Sequence, residues 1–127
     1  MKSRILVVDD ESDLAALLES RLRAHHFDVE ITYSGRQALT ALEKKKPDLI
    51  LLDLLMPDMD GCEVLSYLKK DPATKEIPVI MLSAMTQQDY VQKAMAAGAA
   101  DYLLKPSTSE MSLAKIKTAL DSTRRIA

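Results

Sequence analysis

A chain of 127 residues, 47% hydrophobic and 28% charged, is large enough to bury one core without disulfides or a structural metal. Its net charge of -2 and 4% aromatic content exclude the basic footprint of a nucleic-acid-binding surface, and the lone Cys62 excludes an internal disulfide. No apolar stretch approaches the roughly 18 to 20 residues of a membrane span, and the first apolar run is too short for a secretory leader, so we expect a single cytoplasmic domain over residues 1–127.

Strand and helix signals alternate five times along the chain. The first strand is expected at about Arg4 to Val8, and the helix after it carries Leu14, Leu17, Leu18 and Leu22 at the spacing of one buried face. His25 and His26 end that helix, where a cation is mildly favourable. The run Val29 to Tyr33 alternates apolar and polar residues, as an edge strand does. Ser34 followed by Gln37 opens a second helix with Ala38, Leu39 and Leu42 on its inner side.

The runs Leu49 to Leu52 and Val79 to Leu82 are continuously apolar, which suits central parallel strands covered on both faces. Between them, Asp60 and Glu63 cap a helix through Val64, Leu65 and Leu68, stopped at Asp71-Pro72. Thr86 caps a fourth helix running to about Ala97, with Gly98 as its left-handed stop. Ser107 with Glu110 caps a fifth, whose apolar positions include Leu113, Ile116 and Leu120. Right-handed crossovers then give an α/β, doubly wound, three-layer sandwich with a five-stranded parallel sheet and five helices. Lys44 to Lys46 and Arg124-Arg125 read as solvated helix ends.

Polar residues fall at four strand ends: Asp9-Asp10, Asp53, Ser83 and Lys105-Pro106. In a parallel sheet these share one edge, the edge at which open α/β sheets bind ligands. Two like charges 4 Å apart repel by roughly 4 kcal/mol at an effective dielectric of 20. Three carboxylates therefore need a cation or a proton, and Lys105 offsets only one charge. A hard divalent ion with oxygen ligands, such as Mg²⁺, resolves the rest.

These residues carry a resemblance. Val7-Val8-Asp9-Asp10-Glu11, Leu51 to Gly61 (LLDLLMPDMDG), Leu82-Ser83-Ala84, and Gly98 to Pro106 (GAADYLLKP) resemble, in order and spacing, the receiver domains of two-component response regulators. The resemblance covers essentially the whole chain. It implies the flavodoxin-like strand order 2-1-3-4-5 and a phosphorylation-dependent switch.

By the same resemblance, Asp53 accepts a phosphoryl group from a histidine kinase or phosphotransfer protein. Asp10, Asp53 and the backbone carbonyl of Leu55 ligate Mg²⁺, for which Mn²⁺ can substitute, and Asp9 acts through metal-bound water. Lys105, the Ser83 hydroxyl and the Ala84 N–H contact phosphoryl oxygens. Ser83 and Tyr102 form the switch, the Lys105-Pro106 bond is cis, and the output appears on the face of helix four, strand five and helix five. Partners are then the kinase, an output domain or protein, and a homodimer formed on phosphorylation, with no direct nucleic acid or membrane.

Two other readings compete. A haloacid-dehalogenase-like phosphatase also uses a strand-end aspartyl nucleophile with Mg²⁺, but it wants an acid two residues later, where this chain has Leu55. A degenerate receiver serving only as an interaction module fits poorly with Asp9, Asp10, Asp53, Ser83 and Lys105 all present. The chain departs from many receivers at Ser107, where an aromatic residue is common. Leu55 and Met85 are both apolar where receivers flank the hydrolytic water, so slow autodephosphorylation is expected. The segment Lys69 to Pro78 resembles a loop of receivers in hybrid kinases and cyclase-linked regulators. Leu14, Ala15 and Leu18 either pack on the sheet or face the partner kinase. The chain stops soon after helix five, so an output domain would lie outside it.

Overall fold

The computed structural model describes residues 2–84, 88–106 and 110–126, the last four by backbone alone. The elements run β1 (Arg4–Val8), α1 (Ser12–Ala24), β2 (Asp28–Thr32), α2 (Gly35–Lys44), β3 (Leu49–Asp53), α3 (Gly61–Lys70), β4 (Val79–Ser83), α4 (Gln88–Ala96), β5 (Asp101–Leu104) and α5 (Glu110–Ile126). All strand pairs are parallel, in the order β2-β1-β3-β4-β5. The expected three-layer α/β architecture and its strand order are therefore observed.

The layers follow from the alternation of side chains across each strand. Leu6, Val8, Ile50, Leu52, Val79 and Met81 face α2, α3 and α4, meeting Ala38, Leu42, Val64, Leu65, Leu68, Val91 and Ala94. Ile5, Val7, Leu49, Leu51, Ile80 and Leu82 face the other way, onto Leu18 and Leu22 of α1 and Leu113, Ile116 and Leu120 of α5. Every residue of β3 and β4 is buried, which explains why both strands read as unbroken apolar runs. Each leucine or isoleucine so covered contributes roughly 1.5 to 3 kcal/mol of transfer free energy.

Local signals end the elements where expected, with a few shifts. Ser34 accepts the Gln37 N–H and caps α2, while the Gln37 side chain accepts the Tyr33 N–H. That second bond draws Tyr33 into the turn, so β2 ends at Thr32, one residue earlier than its alternating pattern suggested. Asp60 caps α3 by accepting the Glu63 N–H, and α3 closes at Lys70 before Asp71-Pro72. Gly98 has φ +113, in the left-handed region, just after α4. His26 also has a positive φ of 69, ending α1 without a glycine.

One expectation about α1 fails in part. Ala15, Leu18 and Leu22 are buried and Leu14 is half-buried, but Leu17 is 52% exposed. The helix touches the sheet along a stripe narrower than its run of leucines, and Leu17 falls outside it. Thr86, Ser107 and Met85 lie outside the described residues, as do the side chains of Arg124 and Arg125. Among the described residues, no helix is long and apolar enough to cross a membrane.

Candidate functional site

Sheet register assembles the site. Val8 is paired with Leu52, Asp53 with Leu82, and Ser83 with Leu104, so the four strand ends finish nearly level. The ladder continues one residue beyond the strands. Asp9 N–H donates to Thr32 O at 3.1 Å, Leu54 N–H to Leu82 O at 3.1 Å, and Lys105 N–H to Ser83 O at 2.8 Å. These backbone bonds fix where Asp9, Asp53, Ser83 and Lys105 begin their side chains. The Lys105-Pro106 peptide is cis.

At the centre lies Asp53, 3% exposed, with Asp9 at 2% beside it and Asp10 in solvent. Carboxylate oxygens of Asp9, Asp10 and Asp53 lie within 4.8 Å of one another. Lys105 bridges the group: its Nζ donates to Asp53 Oδ2 at 3.0 Å, Asp9 Oδ1 at 3.2 Å and Glu11 Oε1 at 2.8 Å. Asp9 Oδ1 also accepts the Glu11 N–H at 3.0 Å. Leu55 N–H approaches Asp53 Oδ1 at 3.4 Å, a weak contact.

The electrostatics of this group are unbalanced. Burial pushes the Asp53 carboxyl up to about 7, with Lys105 opposing the shift and Asp9 reinforcing it. Burial alone would lower Lys105, but bonds to Glu11 and Asp53 and the charges of Asp53 and Asp9 prevail and hold its ammonium above the usual lysine range. One ammonium with three protons thus faces four carboxylates, counting Asp10. A divalent cation among Asp9, Asp10 and Asp53 would supply the missing charge, and the all-oxygen donor set suits Mg²⁺ or Mn²⁺.

A second unsatisfied group lies alongside. The Ser83 hydroxyl is fully buried and has no hydrogen-bond partner among the described residues. A buried hydroxyl left unpaired costs roughly 1 to 3 kcal/mol, a cost that a ligand accepting from it would remove. An oxyanion close to Asp53 would accept from both Ser83 and Lys105. Tyr102 is half-buried against the core below, with Lys115 Nζ 4.8 Å from its ring centroid.

Thus Asp9, Asp10, Asp53 and Lys105 meet in one cluster, Ser83 and Ala84 stand at the adjacent strand end, and Leu55 follows Asp53 on the rim. Glu11 was visible only as part of an acidic run, and its bond to Lys105 crosses 94 positions of sequence. Asp58 was likewise read only as part of a motif, yet it bonds the start of α2.

The fold is thus a parallel α/β sheet with an acid cluster, a lysine and a serine hydroxyl gathered at one edge. Comparison with known proteins assigns its family. Residues 5–117 match the family described as the response regulator receiver domain, and the chain belongs to that family. Over 120 residues it is 40% identical to the DNA-binding response regulator MtrA of Mycolicibacterium paratuberculosis, covering 94% of this chain and 52% of that protein. It is 39% identical over 118 residues to the response regulator PleD of Caulobacter vibrioides, covering 93% of this chain and 26% of that one. The chain thus spans about half the length of the curated MtrA relative.

Solved structures agree. The signal receiver domain of a histidine kinase from Syntrophus aciditrophicus superposes with a TM-score of 0.88 at 32% identity, covering 97% of this chain and 93% of that one. The receiver domain of NtrX from Brucella abortus gives 0.87 at 29%, covering 93% and 98%. Receiver domains are regulatory phosphoacceptors in phosphorylation-dependent signalling rather than enzymes with turnover on a small substrate.

Proposed function

We propose that Asp53 accepts a phosphoryl group from the phosphohistidine of a partner histidine kinase or phosphotransfer protein, and that residues 1–127 act as one cytoplasmic switch module. The observation that carries this is the pairing of a buried, charge-frustrated Asp53 with an unpartnered Ser83 hydroxyl at the same sheet edge. An Asp53 carboxylate oxygen attacks phosphorus, the P–O bond forms as the P–N bond breaks, and the imidazole leaves with the electron pair. Asp10, Asp53 and the Leu55 carbonyl, with Asp9 through water, would hold a Mg²⁺ ion, which would supply positive charge to the transferred group.

The rest falls to the chain's own residues. Lys105 exchanges one of its carboxylate partners for a phosphoryl oxygen, while the Ser83 hydroxyl and the Ala84 N–H donate to others. Catalysis of this type is mostly positioning and charge compensation, which a pre-aligned sheet edge provides. Phosphorylation then draws Ser83 toward the group and Tyr102 inward, shifting the populations of two conformations of the α4–β5–α5 face. Tyr90, Met95, Leu104 and Met111 are exposed on these elements, and they suit a homodimer partner or an output domain. DNA binding, as in the name of the MtrA relatives, would belong to the part of those proteins this chain does not match.

Intact-mass spectrometry tests the proposal. Wild type, Asp53→Asn, and wild type with excess chelator are incubated with acetyl phosphate and Mg²⁺. One phosphoryl mass gained by wild type alone is the expected result. A gain by Asp53→Asn, or an undiminished gain with chelator, would refute the assignment of acceptor or metal.

A further inference from the structure

The β3–α3 loop carries Leu55, whose carbonyl faces the cation in the reading above. That loop is tied down at both ends. At its base, Gly61 N–H donates to Leu54 O at 2.7 Å, and a Cβ on Gly61 would sit 2.3 Å from the Asp53 carbonyl oxygen. At its far end, the Asp58 carboxylate reaches across to the first turn of α2. Its Oδ1 accepts the Gly35 N–H at 3.2 Å and its Oδ2 accepts the Arg36 N–H at 3.0 Å. Burial would raise the Asp58 carboxyl, but bonds from the backbone of Arg36, Gly35 and Met59 prevail and hold it below the usual range.

The adjacent residue completes the contact. Met59 packs against the core, and a Cβ on Gly35 would lie 2.3 Å from Met59 Cγ and 2.8 Å from its Sδ. Gly35 therefore admits Met59 while its N–H holds Asp58. Only Leu55, Met56 and Pro57 lie between this clamp and the Asp53–Leu54 end of the strand. Pro57 restricts its own φ and holds Met56 extended, so little slack remains. The contact from Leu55 N–H to Asp53, at 3.4 Å, is too weak to orient the Leu55 peptide by itself.

We propose that Asp58 is a positioning residue, which clamps the β3–α3 loop to the N-terminus of α2 and so pre-sets the Leu55 carbonyl for the divalent cation. The inference rests on the reading of Asp9, Asp10 and Asp53 as a Mg²⁺ site. Partners that orient a metal's direct ligands commonly change affinity by 10- to 100-fold when removed. Asp58 acts through the backbone of a short loop, so about a tenfold loss belongs to it.

The test compares wild type, Asp58→Ala and Ser34→Ala by Mg²⁺ titration followed through backbone amide NMR shifts, with urea denaturation of each. Ser34→Ala removes the α2 cap at Gln37 without touching the loop, and so controls for a loss of α2 stability. The expected result is a Mg²⁺ dissociation constant about tenfold higher for Asp58→Ala, unchanged for Ser34→Ala, with faster amide exchange at Leu55 and Met56 in metal-free Asp58→Ala. Wild-type affinity in Asp58→Ala, or equal weakening in both variants, overturns the inference alone. Absence of Mg²⁺ binding by wild type overturns the metal reading and this inference with it.

Discussion

Replacing Asp53 with asparagine stabilises the metal-free protein increasingly as pH rises. Burial, only partly opposed by Lys105, moves the Asp53 carboxyl from 3.8 to about 7. A carboxyl with a raised folded pKa holds its proton more tightly in the native state. Its contribution to stability is present at low pH, falls as pH rises from the unfolded value through about 7, and stays lost above. At about 1.4 kcal/mol per pKa unit, a shift of about three units caps that loss near 4 kcal/mol. Between about pH 5 and about pH 8, about 2 to 3 kcal/mol of it develops.

Asparagine does not titrate, so its advantage over wild type grows by that amount across the interval. For a domain of this size the gain is on the order of 10 °C in Tm. The attraction between ionised Asp53 and Lys105 is already contained in the value of about 7, so the slope with pH carries the argument. Urea denaturation in chelator, followed by far-UV circular dichroism at both pH values, measures it. Parallel stability profiles, or an advantage that shrinks as pH rises, would refute the reasoning. Mg²⁺ at a hundred times its dissociation constant restores about 2.7 kcal/mol to wild type and less to the variant.

Two substitutions and one decay rate probe the same edge. Ser83→Ala removes an unpaired buried hydroxyl, so the unphosphorylated protein gains up to about 1 kcal/mol in urea denaturation while phosphorylation by acetyl phosphate slows; a clear loss of stability would contradict this. Gly61→Ala places a Cβ 2.3 Å from the Asp53 carbonyl oxygen, so we expect a loss of about 1 to 3 kcal/mol and slower phosphorylation, and wild-type values for both would argue against the close packing described. Leu55, 41% exposed beside Asp53, offers no side-chain polar atom to orient water, so the aspartyl phosphate outlasts minutes in a time course by mass spectrometry; decay within seconds, without a phosphatase, sinks the idea.

Much of the architecture lay in local pattern. The unbroken apolar runs of β3 and β4 became fully buried central strands, because a parallel sheet covered on both faces leaves no polar side. Ser34 and Asp60 cap helices as their spacing to Gln37 and Glu63 implied, since a cap bond spans three residues. The meeting of Asp9, Asp10, Asp53 and Lys105 was legible for a related reason. Once four strands are parallel, their ends must share an edge, and each polar residue follows its strand directly.

What needed the folded chain were bonds between segments with no pattern linking them. Periodicity gave Leu17 the same reading as Leu18, and only the width of the α1–sheet contact left one exposed and buried the other. The Glu11 to Lys105 bond spans 94 residues, and the Asp58 clamp on Arg36 spans 22. The strained charge of Asp53 and the solitary Ser83 hydroxyl are likewise properties of a packed environment. Periodicity and caps act over a few residues and are written in the chain, whereas desolvation and side-chain pairing depend on what the whole fold brings within a few ångströms.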